Sequence, residues 1–92
     1  MKHYVLLYSF VENMVERRAP HRAEHLQVCS DFLPKGLLLG GAFSPAEGGM
    51  LVFRTEDKAV VQDFVSKDPY VTRGLVTKSE IKEWNVVVGT AM

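Results

Sequence analysis

Cysteine is almost missing from this chain: Cys29 is alone among 92 residues, so no disulfide can form within it. An unpaired cysteine in a short sequence fits a reducing, cytoplasm-like compartment. Charge of one sign is missing too, since 11 Lys and Arg balance 11 Asp and Glu. Nucleic-acid binding needs a basic excess or stripe, so DNA and RNA are excluded as main partners. Long apolar runs are absent, none approaching the ~18 residues of a membrane span. Lys2-His3, a short apolar stretch and then Glu12 make a poor signal peptide. There is no internal repeat, no low-complexity tract, and no glycine spacing of a dinucleotide, P-loop or serine-hydrolase motif. The expectation is a soluble cytoplasmic protein of one domain, residues 1–92, that contacts neither nucleic acid nor membrane.

What is present is a succession of short apolar segments. Tyr4-Val5-Leu6-Leu7-Tyr8 suits a buried strand. Val11 to Ala19 is charged and reads as a loop or loose turn. Pro20 suits the first turn of a helix, where its missing N–H costs nothing. From there to about Leu33, Ala23, Leu26, Cys29 and Leu33 recur at helical spacing, with Phe32 beside them. Pro34 and Gly36 stop that helix. A second strand runs from Leu37 through Gly40-Gly41-Ala42-Phe43, a turn covers residues 44–49, and Met50 to Phe53 form a third strand. Thr55 or Asp57 caps a second helix with the apolar stripe Val60, Val61, Phe64 and Val65, and Asp68-Pro69 ends it. Leu75 to Ile81 alternates as a fourth strand, and Val86-Val87-Val88 extends or covers the sheet.

The order is strand, helix, strand, strand, helix, strand: an α+β, ferredoxin-like βαββαβ arrangement. Two helices cover one face of such a sheet, and a wet second face should show alternating polarity. The first three strands do not alternate. A small domain gains needed burial by pairing, so a homodimer that closes the second face is expected.

The sequence resembles the YCII-related family, small dimeric α+β-barrel proteins with a ferredoxin-like protomer. The resemblance rests on the early strand ending near Tyr8, Arg22-x-x-His25-Leu26, Gly36-Leu37-Leu38, Gly41, Asp68-Pro69-Tyr70 and Trp84. It covers nearly the whole chain as a single YCII-like domain. Gly41-Ala42-Phe43 departs from the family, which often has proline after the glycine, and Glu83 stands where proline is common. The resemblance implies a pocket holding His25 and Asp68 together, hence an enzyme.

In that pairing His25 acts as the general acid/base and Asp68 orients it, fixing the tautomer through the far nitrogen. The bland alternatives are a structural histidine and a helix-ending Asp-Pro. Arg22, one helical turn before His25, grips a substrate oxyanion or makes a surface salt bridge. Tyr8 and Tyr70 line the pocket or simply pack; Gly41 permits close approach or marks a kink; Phe43 shapes the same pocket. Cys29 reads as a small buried hydrophobe more readily than as a nucleophile. His21 and His25 have the i, i+4 spacing of metal ligands, but no third ligand is motif-linked, so no metal is expected. The cluster Arg17-Arg18 with His21-Arg22 favours an anionic small molecule or is solvated surface. The function expected is cofactor-independent elimination or isomerisation of a small anion, aromatic or dienone-like. The alternative is a non-catalytic ligand-binding or accessory domain using the same cleft.

Overall fold

A computed structural model describes residues 1–90. Its elements are β1 (Lys2–Phe10), α1 (Met14–Arg17), α2 (Arg22–Phe32), β2 (Leu37–Ala42), β3 (Gly48–Thr55), α3 (Lys58–Lys67), α4 (Pro69–Thr72) and β4 (Val76–Trp84). Single 3₁₀ turns, Ala19–His21 and Leu33–Lys35, flank α2. The strands form one sheet in the order β2-β3-β1-β4, with every neighbouring pair antiparallel. This is the ferredoxin-like, α+β arrangement that the segment order predicts.

Alternation along β1 sends Tyr4, Leu6 and Tyr8 to the helix-covered face, where Leu51 and Phe53 lie opposite Leu6 and Tyr4. Phe32 from α2 and Val61 and Phe64 from α3 complete that core. Phe64 meets Phe32 edge-on at 5.3 Å between ring centres, and Phe53 at 5.5 Å. Asp57, rather than Thr55, caps α3, its Oδ1 accepting from Ala59 N at 2.9 Å. Gly36 ends the α2 region at φ 116°, where a Cβ would overlap the Arg54 carbonyl oxygen.

Four expectations need correction. Residues 11–19 are not merely a loop. Asn13 sits in the left-handed region, its carbonyl accepts from Glu16 and Arg17, and the α1 turn that follows buries Met14 beside Tyr70 and Leu75. The buried face of α2 is His25, Val28, Cys29 and Phe32, while Ala23, Leu26 and Leu33 are exposed. An imidazole occupies the position expected for an aliphatic side chain, and that rotates the stripe. The fourth strand runs to Trp84, and Leu75 packs just before it. Val87 and Val88 lie outside the sheet and are exposed.

Candidate active site

Asp68 is placed by local geometry. The residue before Pro69 leaves the helical region (φ −71°, ψ 118°), ending α3 and capping α4. Its side chain has no solvent exposure and collects three donors. Oδ2 accepts from Tyr8 Oη at 2.9 Å, and Oδ1 accepts from Tyr70 N at 3.0 Å. His25 Nδ1 lies 2.7 Å from the same Oδ1. A buried carboxylate is tolerated when its lone pairs are satisfied in this way.

With Nδ1–H donating to Asp68, the neutral imidazole carries its lone pair on Nε2. Cys29 Sγ is 3.6 Å from Nε2, placed so that the thiol donates to it. Tyr70 stacks on the imidazole with rings 6° from parallel and 3.8 Å between centres. One nitrogen is therefore anchored by the carboxylate and one ring face is covered, while Nε2 meets only the weakly donating Cys29 thiol, which a stronger acid from a substrate can displace.

These groups line a cavity of about 340 Å³ between α2 and the sheet. Its wall includes Tyr8, Arg22, His25, Tyr70 and Gly41, and also Phe10, Arg18, Cys29 and Leu39. The structure thus brings together every expected site residue that it places on this wall, with Asp68 directly behind it. Phe43 is not on the wall; it is half-exposed beyond the end of β2, close to Gly48. Gly41 pairs with Met50, so a Cβ there would stand in open space on the opposite sheet face, and Gly41 offers the cavity only its backbone. Leu26 of α2 and Leu33 of the 3₁₀ turn after it, both exposed, are wall residues as well.

Tyr8 differs in its task from the expectation. Its hydroxyl is committed to Asp68, so it holds the carboxylate rather than a ligand. Burial, followed by the adjacent Asp68, pushes the Tyr8 phenol far above its ordinary value, so it stays a donor. Tyr8→Phe is expected to cost about 1.5–3 kcal/mol, the range for a hydrogen bond to a charged group. Urea unfolding measures this; unchanged stability would show that the bond contributes nothing.

Cys29, expected as a small buried hydrophobe, is a site residue that the sequence reading missed, and its one available signal was its place four residues after His25 on one helix. Phe10 follows Tyr8 by two along β1. Burial, then the charge of Asp68, pushes the Cys29 thiol up to about 11, so it is neutral at physiological pH and a poor nucleophile. Folded Cys29 and Tyr8 both hold their protons more tightly than their ordinary values imply. The Cys29 contribution to stability is therefore complete below pH 9.0, the ordinary thiol value, and is lost as pH rises toward 11, while that of Tyr8 begins to fall only above its ordinary value of 10.0. Melting temperature should fall across that interval and iodoacetamide should react with Cys29 only near its top. Rapid alkylation at pH 7 would contradict the protonated thiol.

Burial also raises the Tyr70 phenol, opposed by the nearby Arg22 and Arg18 guanidinium groups. Among the described residues no group lies in good hydrogen-bonding geometry to its buried hydroxyl. Among the described residues no cluster of three or more His, Cys, Asp or Glu is arranged to hold a metal. Among the same residues, no helix is long and apolar enough to cross a membrane.

The family model of the YCII-related domain matches residues 1–85. The chain belongs to the YCII-related family. No curated protein matches its sequence. Among solved structures it is similar to 5-chloro-2-hydroxyhydroquinone dehydrochlorinase from Burkholderia phenoliruptrix, in complex with 2,5-dihydroxybenzoquinone. That match has a TM-score of 0.76 at 20% identity and covers 90% of this chain and 93% of the other. A protein from Agrobacterium tumefaciens matches at TM-score 0.63 and 11% identity over 95% and 94% of the two chains. A dimeric ferredoxin-like protein from an uncultured marine organism matches at 0.52 and 16% over 97% of each. At these identities the likenesses establish the fold.

Proposed function

We propose that this YCII-related protein is a homodimeric enzyme that eliminates or isomerises a small anionic ring compound. His25 serves as its acid/base and Asp68 orients that histidine. One observation carries the reading: the 2.7 Å contact of His25 Nδ1 with a fully buried carboxylate, behind a cavity that Nε2 can serve. A base anchored on one nitrogen keeps a single tautomer and loses little orientation entropy on reaction. Arg22 on the same wall supplies the charge that holds a substrate oxyanion. Tyr70 and Phe10 present aromatic surface to a planar ring.

In an elimination of this kind, Nε2 takes a proton from the substrate and the electron pair expels the leaving group from the ring. The products are an unsaturated or quinonoid ring, a halide or equivalent anion, and an imidazolium that returns its proton to water. This chemistry asks for a base and an anion site, with no cofactor. The dehydrochlorinase of similar fold supports the reaction class, and its bound quinone supports a flat oxygenated ring. The test is chloride release from chlorinated hydroxyhydroquinones, compared between the native protein and His25→Ala. Release that depends on His25 is expected. Ligand binding without turnover of any such ring would instead favour a binding module.

The dimer is supported by the second sheet face, where Val5 and Leu7 of β1 lie opposite Val52 and Met50 of β3. Among the described residues no helix is left to cover that stripe, and half-exposed Leu39 and Trp84 are further apolar surface. Sedimentation at micromolar concentration should give twice the 10.3 kDa protomer mass, and Leu7→Lys should give monomer. A native protein that sediments as monomer would remove this part of the proposal.

A further inference from the structure

Arg18 precedes α2 and is half-buried, and Arg22 begins the helix. Both guanidinium groups line the cavity that holds His25. Ion pairs form elsewhere on the molecule, at Glu56, Glu83, Asp63 and Glu80, but among the described residues neither arginine has a carboxylate within reach. Nearby Glu12, Glu16 and Glu47 line a separate depression next to α1. A partly desolvated cation without a partner is costly unless something else supplies the negative charge. Beside the arginines the Tyr70 hydroxyl is buried, next to Arg22, with no partner in good hydrogen-bonding geometry among the described residues. The site is thus rich in donors and short of acceptors, the mirror image of an anionic ligand.

One guanidinium suffices for one oxyanion, and it can hold a carboxylate in a bidentate grip. A second, the half-buried Arg18, which like the exposed Arg22 has no carboxylate partner among the described residues, has no role with a monoanion. We infer that Arg18 and Arg22 form a two-cation subsite selecting planar rings with two acidic groups, such as a ring carboxylate together with a second carboxylate or oxyanion. The inference rests on the reading of this cavity as the substrate site and names the class of substrate it takes. Arg18 is its specificity-determining residue, discriminating dianion from monoanion. A cavity of about 340 Å³ is at the lower end of small-molecule pockets, in keeping with a single substituted ring.

Calorimetric titration with benzoate and with the three benzenedicarboxylates, at about 0.1 M salt, tests this without any turnover. The native protein should bind at least one dicarboxylate about 10-fold more tightly than benzoate, the effect of one further charge-assisted contact. Arg18→Gln should abolish that preference and leave benzoate affinity nearly unchanged. Arg22→Gln should weaken both classes of ligand. Arg18→Lys, which keeps the charge, should retain part of the preference, and melting curves will show whether each variant is folded. Equal affinity for mono- and dianions in the native protein would overturn the inference. So would a preference that survives Arg18→Gln. His25→Ala should keep the dianion preference, so loss of the subsite and loss of the base are told apart.

Discussion

Replacing His25 with alanine should lower kcat/KM by about 10²- to 10⁴-fold, the usual contribution of a positioned general acid/base. Most of this loss belongs in kcat, because the arginines and aromatic rings proposed to hold the ligand stay in place. The fold should survive. His25 is 14% exposed, and without its ring Asp68 still accepts from Tyr8 and from the Tyr70 amide. The stack on Tyr70 is lost, leaving a hollow beside the cavity that a free imidazole can enter. Added imidazole should therefore restore part of the rate in the variant, rising with the fraction of neutral imidazole. Full activity in His25→Ala would end the assignment of the base. A dead variant without rescue and with a collapsed melting curve would point to a structural histidine.

Asp68→Ala should be the most damaging single change to stability, at about 3–5 kcal/mol. Its carboxylate is the shared acceptor for Tyr8 Oη, His25 Nδ1 and Tyr70 N, and all three donors would be left inside the protein. The cap of α4 goes with it. For a domain of this length each kcal/mol lowers the melting temperature by roughly 4–8 °C, so the shift should be plain in a thermal scan. Asp68→Asn separates stability from chemistry. The amide oxygen keeps one acceptor, so the loss of stability should be smaller. The amide nitrogen, however, faces donors, and the imidazole no longer has a reason to keep its proton on Nδ1. Activity should then fall by about two orders of magnitude or more in a protein that still folds. Wild-type stability in Asp68→Ala would mean that the three contacts do not hold the site together.

The arrangement explains why a helix-ending Asp-Pro sits at the heart of the site. Proline's restriction turns the chain out of α3 at one defined residue, and the next turn begins immediately. The carboxylate is thereby fixed from its own backbone, through Tyr70 N, before any long-range contact is made. Tyr8, sixty residues away along the chain, then locks the other oxygen from the central strand. A rigid sheet and a helix junction thus aim the imidazole without help from a flexible loop.

Local signals were enough for the elements. Short apolar runs marked β1 and β3, Asp57 and Pro20 marked helix starts, and Asp68-Pro69 marked a stop, because each depends on a few neighbouring residues. Arg22, His25 and Cys29 were readable as neighbours for the same reason, being separated by single helical turns. The orientation of α2 was not readable. Leu26 and Leu33 are as apolar as core residues, and hydrophobicity alone does not distinguish a core from the wall of a cavity. The α1 turn was hidden as well, since Met14 is one apolar residue among charged neighbours and its burial depends on Tyr70 and Leu75.

The chain's own pattern decided the α+β order, the family, and which histidine and which aspartate to watch. Three-dimensional packing alone decided that Tyr8 serves Asp68 rather than a ligand, that Phe43 stands off the cavity wall, and that Arg18 joins Arg22 without a carboxylate partner. The reason is physical. Helical and strand periodicities act over a few residues, whereas hydrogen bonds and unpaired charges are set by whichever distant side chains the sheet brings within about 3 Å.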